Sequence, residues 1–278
     1  MHPHIRALRS LLEKRGVAYQ EIASFADALI VGGAPFIRAT TPFNDESVSA
    51  LCQDKAAVHE ILKGKTRMPD TREFLDPRGR HPELCNAKSL DEIVKKSLDF
   101  LYPRMVKMNK GERGHNVFFA ENETDFRKCF ERIFDKGSRY YDYIALVQEY
   151  VEPKFEYRVA LAAGAPVFAY ARGEFDRLDR ASASRLFSAS DKILESLPVS
   201  WGSLDFIESK GGDLYFLEAN TRPSYEGFIA KNGDASIQEL YSLSLDDAKH
   251  APKRSQMGTL YASLRRFGRV SRFYQGLR

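Results

Sequence analysis

The chain is poor in the features that mark a specialised class. It has three cysteines, Cys52, Cys85 and Cys129, and no pair of them stands at metal-ligand spacing. That odd, scattered set excludes a disulfide framework or a zinc motif and points to plain thiols in a reducing, cytoplasmic setting. No apolar run approaches the ~20 residues of a membrane span. The opening MHPHIRALRSLLEKRG lacks a signal-peptide core, so no membrane association is expected. Neither sign of charge dominates: 42 Lys and Arg stand against 38 Asp and Glu, a net +4 over 278 residues. Such a mild excess suits a small anionic ligand and does not call for nucleic acid. Two phosphate-binding patterns are missing, GxxxxGK[ST] and GxGxxG after a strand. No Ser-His-Asp or Cys-His set is legible either, so the protein is assigned no nucleophile of its own.

What remains is an ordinary globular composition, 43% apolar and 29% charged, in a chain long enough for one to three subdomains. Residues 1–44 read as a reduced N-terminal lobe. An amphipathic helix carries Ile5, Leu8, Leu11 and Leu12 on one side and stops at Gly16; VAYQEI and ALIVGGAPFI then give short strands and a Gly-Gly turn. Residues 45–145 open with a single helix, DESVSALCQDKAAVHEILKG, acidic at its start and stopped by Gly64. TREFL is a strand, and Ser89 with Glu92 forms a capping box for the next helix. RMVKM is a strand carrying Lys107, NKGERGHN a polar loop and VFFA the returning strand. ETDFRKCFERIFDKG is a helix with Phe126, Phe130, Ile133 and Phe134 on one face. The third segment runs to 252. YIALVQEYV is a strand that Pro153 ends, and FEYRVALAAGAPVFAYAR is a hairpin about Gly164. Residues 172–190 show no apolar period and read as a surface loop, KILESLP as a short helix and ASIQELYSLSL as another. The stretch 253–278 is a basic tail with Arg254, Arg265, Arg266, Arg269, Arg272 and Arg278, either solvated or facing an acidic partner.

The stretch GGDLYFLEANTRPSYEG, residues 211–227, organises the rest. Glu218 and Asn220 stand two apart on a strand and so share a face. If SLDFIES pairs with that strand as a hairpin around 210–212, Asp205 lies near Glu218. Three hard oxygen donors on neighbouring strands suit Mg2+, with Mn2+ as the alternative. The exit loop 221–227 leaves this site directly, and Arg222 is its one cation, able to hold a carboxylate in bidentate fashion, with Ser224 beside it as a donor.

In order, the chain reads DKAAVHEIL, YPRMVKMNKGERGHNVFF, ALVQEYVEPKFEYRV, GSLDFIES and LYFLEANTRPSYEG. This succession resembles the ATP-grasp superfamily over roughly residues 54–227. Within it the likeness is to the carboxylate–amine ligases, such as ribosomal-protein glutamate ligases, glutathione synthetases and D-alanine–D-alanine ligases. The resemblance implies an α+β fold in which two α+β subdomains, 45–145 and 146–252, sandwich ATP, while the short N-terminal lobe contributes to the acid site. It also implies roles. Lys55 and Lys107 touch the ATP phosphates, and Gly111 and Gly114 belong to a loop closing over them, with Arg113 or His115 in place of the serines of some relatives. Gln148, Glu149, Tyr150 and Val151 read adenine, and Glu156 holds the ribose hydroxyls. Arg158 stands near the γ-phosphate or acyl phosphate, and Arg172 either does similar work or lies on the surface. Lys107, Arg158 and Arg222 are the catalytic cations, and Asp205, Glu218 and Asn220 the metal ligands. The implied reaction joins a small-molecule or peptide carboxylate to an amine through an acyl phosphate, releasing ADP and phosphate. A kinase on the same scaffold, or a non-catalytic ATP-binding regulator, is the alternative. The acid, the amine and a homo-oligomeric state are left open.

Overall fold

A computed structural model describes residues 1–23, 27–111 and 117–247. Gly114, Arg113, His115 and the basic tail 253–278 therefore lie outside the described residues. In chain order the elements are α1 (Pro3–Arg15), β1 (Tyr19–Ala23), β2 (Ala28–Val31), β3 (Ala34–Ile37), α2 (Glu46–Gln53), α3 (Lys55–Leu62) and β4 (Thr71–Leu75). A 3-10 turn, Pro82–Leu84, is followed by α4 (Leu90–Lys96), β5 (Arg104–Met108), β6 (Val117–Ala120), α5 (Glu123–Ile133), β7 (Ile144–Glu149), β8 (Pro153–Ala162) and β9 (Ala165–Ala171). Then come α6 (Arg180–Leu194), β10 (Gly202–Ser209), β11 (Leu214–Asn220), α7 (Glu226–Asn232) and α8 (Ala235–Asp246). No helix among the described residues is long and apolar enough to cross a membrane, and the three cysteines are free and buried.

Contacts divide the chain into two units, residues 44–233 and the remainder at either end. In the smaller unit the antiparallel sheet β1-β2-β3 accompanies two helices. The apolar side expected for α1 is buried, Ile5, Leu8 and Leu12 almost completely. Its partner is α8: the His4 ring nitrogen Nδ1 lies 3.1 Å from the Tyr241 hydroxyl, and Lys14 Nζ donates to Gln238 Oε1 at 2.8 Å. A helix that reads in sequence as the end of the C-terminal segment thus packs with the N-terminal one.

The larger unit contains two four-stranded antiparallel sheets, β4-β7-β5-β6 and β11-β10-β8-β9. One face of the first is sealed by α4 and α5. Phe74, Val106, Ala120, Ala145 and Val147 meet Ile93, Phe126, Phe130 and Ile133 in one core, so the aromatic face read in α5 is indeed the buried one. Strand alternation then puts Thr71, Met105, Lys107, Phe119, Leu146 and Gln148 on the other face. The second sheet packs Val159, Leu161, Leu204, Phe206 and Phe216 against α3 and α6. Its opposite face carries a single cross-strand row: Glu218 on β11, Asp205 on β10, Arg158 on β8 and Tyr170 on β9. A bulge separates two registers in β10 and β11. Asp205 faces Glu218, but the next residue, Phe206, faces Phe216, leaving Leu217 as the extra residue.

Three local readings are corrected. The helix read across residues 45–64 is two helices, broken at Asp54 (φ −93°, ψ 94°). The Asp54 carboxylate accepts from Ala57 N at 3.0 Å and so caps α3, as Asp does at an N-cap. The loop read at 172–190 holds most of a 15-residue helix, α6, capped by Asp179 and buried through Ala183, Leu186, Ser190 and Ile193. Pro153 begins β8 rather than merely closing β7, lying opposite Ser209 at the end of the ladder.

Gly202, at the head of β10, has φ +153°, and a Cβ there would overlap the backbone oxygen of Asn220. Gly202→Ala should therefore lower unfolding stability by about 2–4 kcal/mol, from backbone strain plus overpacking. Urea denaturation of the variant checks this; a midpoint equal to that of the parent would contradict it.

Candidate active site

The hairpin of β10 and β11 brings Asp205 opposite Glu218 and Ser203 opposite Asn220. Asn220 Nδ2 lies 3.1 Å from Glu218 Oε1 and 3.4 Å from Asp205 Oδ2, so all three side chains meet at one point. Asp205 is nearly inaccessible, whereas Glu218 is about one-third exposed. Among the described residues no group of three or more His, Cys, Asp or Glu gathers to hold a metal. The set here is two carboxylates and one amide. All its ligand atoms are hard oxygens once the amide turns Oδ1 inward, and the set is too small to close a coordination sphere, which fits Mg2+ with phosphate oxygens completing it.

Arg158 holds Asp205 from the adjacent strand. Its Nε and Nη2 donate to the two carboxylate oxygens at 2.7 Å each, and Nη1 donates to the Ser224 carbonyl at 3.0 Å. Burial alone would lower the pKa of this guanidinium, but the hydrogen bonds and charge of Asp205 outweigh that and raise it. Each of its nitrogens is engaged within the protein. Arg172 is freer: Nη1 stands 3.5 Å from Asp205 and 3.8 Å from Glu156, and the side chain is 42% exposed.

Two lysines approach from the other side. Lys55 is the first residue of α3, and its Nζ donates to Gly111 O at 2.6 Å and lies 4.0 Å from Glu218 Oε2. Lys107 Nζ donates to Gln148 Oε1 at 2.6 Å, and Gln148 Nε2 in turn donates to Thr71 Oγ1 at 2.9 Å. Desolvation pulls the Lys107 pKa down to about 8; the Glu218 charge opposes this and the Lys55 charge adds to it.

Sequence reasoning missed the part played by Asn109. This fully buried residue accepts from Ala56 N through Oδ1 at 2.8 Å and from Lys55 N through its carbonyl at 3.4 Å. The next residue, Lys110, donates its N–H to Asp142 Oδ2 at 2.7 Å. Asn109 and Asp142 thereby pin the near end of the glycine loop and the start of α3 to each other. The only local signal was a polar Asn at the mouth of an apolar strand.

The expected adenine readers span the end of β7, Gln148 and Glu149 on the strand and Tyr150 and Val151 after it. Both ends of the Gln148 amide are taken by Lys107 and Thr71, and Glu149 N and Oε1 both bond to the backbone of Asp70. Tyr150 and Val151 lie beyond the strand with no backbone hydrogen bond among the described residues. The Tyr150 ring meets that of Phe119 edge-on at 4.9 Å, and both are exposed. Arg222 is exposed, with no ion pair or hydrogen bond among the described residues. Gly111 sits at the described edge of the glycine loop.

No family model matches the chain, and neither does any curated protein. Solved structures do match. The chain is similar to D-alanine–D-alanine ligase from Bacillus anthracis complexed with ATP, with a TM-score of 0.54 and 18% identity over 75% of this chain and 68% of that one. It is similar to the VanG D-Ala:D-Ser ligase from Enterococcus faecalis, with a TM-score of 0.54 and 20% identity over 72% and 60%. It is also similar to an ATP-grasp RimK domain protein from Sphaerobacter thermophilus DSM 20745, with a TM-score of 0.53 and 16% identity over 72% and 69%. The chain thus spans between 60% and 69% of the length of these structures. At such identities the likeness is one of backbone architecture, and together with the paired antiparallel sheets and the 202–220 hairpin it establishes that the chain has the ATP-grasp fold.

Proposed function

We propose that the chain is an ATP-dependent carboxylate–amine ligase. The observation that carries this reading is the facing pair Asp205 and Glu218, joined by Asn220 and ringed by Lys55, Lys107 and Arg172. Oxygen donors inside a ring of cations suit a metal-bound triphosphate, whose transfer chemistry demands positioning and charge neutralisation more than a protein nucleophile. Bound Mg2+ would be held by Asp205, Glu218 and Asn220 and would supply Lewis-acid neutralisation of phosphate charge. Lys107 and Lys55 bind the phosphates as compact cations. The backbone of Tyr150 and Val151, without a hydrogen bond among the described residues, takes the adenine edge. Gln148 acts by steering Lys107, and Arg158 by orienting Asp205 and the exit loop. Glu156, half-exposed beside Arg172, takes the ribose hydroxyls. Arg222 holds the acid so that its carboxylate attacks the γ-phosphate, and an amine then displaces phosphate from the acyl phosphate. Arg222 has no ion pair or hydrogen bond among the described residues and lies two residues beyond the end of β11, which supports this assignment.

The reading is tested by an ADP-release screen over amino acids and dipeptides with mass spectrometry of the products. A new amide with ADP supports the ligase, a phosphorylated product would mean a kinase, and no ADP with any acid would count against both.

Turnover should require Mg2+ or Mn2+, and Glu218→Ala should abolish it while the circular dichroism spectrum stays unchanged. Activity persisting in that variant, or in excess chelator, would remove the metal assignment.

ATP binding should depend on pH through Lys107. Its ammonium is populated below about pH 8 and lost above it, so ATP affinity should fall as pH rises through that value. Lys107→Ala should weaken ATP by about 1.5–3 kcal/mol at pH 7 and leave adenosine nearly unaffected. Lys107→Arg should flatten the pH profile, because a guanidinium stays charged throughout. Titration calorimetry that shows equal losses for ATP and adenosine would place Lys107 away from the phosphates.

For Arg222→Ala, steady-state kinetics should show a higher KM for the acid or a lower kcat with ATP affinity little altered. Unchanged kinetics with every acid would place the acid elsewhere.

A further inference from the structure

A short strap, residues 172–179, leaves β9 and runs to the cap of α6. At its centre Phe175 has φ +59°. It is the one aromatic among the non-glycine residues with positive φ in the described chain, and an aromatic side chain holds this region only when its surroundings enforce it. Those surroundings are explicit. Gly227, in the first turn of α7, offers no Cβ, and a Cβ there would overlap the Phe175 ring. Asn232 at the other end of α7 donates from Nδ2 to the Phe175 carbonyl at 2.8 Å, and Lys231 Nζ donates to Glu174 O at 2.7 Å and pairs with Asp176. Tyr170 lies against Phe175 with ring centroids 6.1 Å apart and against Phe228 at 4.7 Å. The strap is thus fastened along the helix that directly follows the exit loop.

The near end of the strap is Arg172. Its N–H donates to Glu156 O at 2.8 Å, and Phe175 N–H closes back on Ala171 O at 2.8 Å. Only two residues, Gly173 and Glu174, therefore separate a guanidinium beside Asp205 from an aromatic ring seated on Gly227. We infer that Phe175 is a positioning residue: seated on Gly227, it holds the strap so that Arg172 stays beside Asp205 and Glu156, where its guanidinium meets the terminal phosphate of the nucleotide. This rests on the reading of the site as one for metal-bound ATP. Arg158, with every nitrogen engaged, leaves that contact to Arg172.

The test needs binding alone. Dissociation constants for ATP and ADP in the presence of Mg2+ are measured by calorimetry on the full chain. Arg172→Ala should cut the preference for ATP over ADP about tenfold, the effect of one lost charge-assisted bond. Phe175→Ala should cut it to a similar degree, while Phe175→Leu, which refills the space over Gly227 in part, should restore some of it. Adding Arg172→Ala to Phe175→Ala should cost nothing further, since the guanidinium is already misplaced. Gly227→Ala should mimic Phe175→Ala, and the two together should be no worse than either alone. A thermal melt accompanies each variant, and the Phe175 and Arg172 cycle stands alone if Gly227→Ala does not fold. Additive losses for Phe175→Ala and Arg172→Ala, or an unchanged preference in Phe175→Ala, would overturn the inference. A shifted preference without any amide product would leave it standing and remove the ligase reading instead; no ATP binding by the parent chain would remove both.

Discussion

One guanidinium sets the geometry on which the candidate site depends. Arg158 joins three pieces of chain: its own strand β8, the neighbouring strand β10 through both oxygens of Asp205, and the exit loop through the Ser224 carbonyl. Both side chains of the ion pair are almost wholly removed from water. Such a pair gains little net stability over a well-packed apolar substitute, but losing one member strands the other at a cost of about 3–5 kcal/mol. Its value is in orientation. Both Asp205 oxygens are held, and the loop that carries Arg222 is fastened two residues further on, at Ser224. The Asp205 carboxylate and the exit loop therefore share one support.

The cations that surround this support have different freedoms. Arg158 is spent internally, Lys55 and Lys107 are tethered through backbone or amide oxygens, and Arg172 and Arg222 remain half-exposed or open. Tethering limits the entropy a long side chain loses on meeting a ligand, so the two lysines are already aimed. Desolvation pulls the Lys107 pKa down to about 8, and on the proposed reading the negative charge of a bound phosphate would raise it again. The Asn109 and Asp142 anchors belong to the same economy of motion, since they fix one end of the glycine loop.

Much of this was legible in the sequence, and for identifiable reasons. The hairpin of β10 and β11 announces itself through Gly211 and Gly212 between two apolar runs, and strand alternation then puts Glu218 and Asn220 on one face. α5 was legible because four large apolar side chains recur at helical spacing. α6 was not, because two of its four buried residues are Ala183 and Ser190, too small and too polar to register as a stripe. The break at Asp54 was hidden for the opposite reason: Val48, Leu51, Val58, Ile61 and Leu62 keep a plausible period straight through it. What decides the break includes Asn109, from the turn after β5. The partners of Arg158 and Gln148 depend on the registers of β8 with β10 and of β4 with β7, and the seat of α8 on α1 on contacts over more than two hundred positions. Side-chain type suggests a chemistry for these positions; only tertiary structure shows which groups are already occupied.

The bulge at Leu217 has a consequence for how the hairpin divides its labour. In a regular strand, residues two apart look the same way, so Glu218 and Phe216 would be condemned to a common environment, both wet or both dry. The bulge counts two residues as one step of the ladder, so they take opposite faces all the same: Glu218 faces Asp205 while Phe216 faces Phe206 inside the core. Excising Leu217 would leave those pairings in their present order along a straight ladder, so the insertion is not what assigns the partners. What it adds is local twist, and twist turns neighbouring side chains from parallel towards convergent. The twist falls directly beside Glu218, where its carboxylate and that of Asp205 meet the Asn220 amide nitrogen.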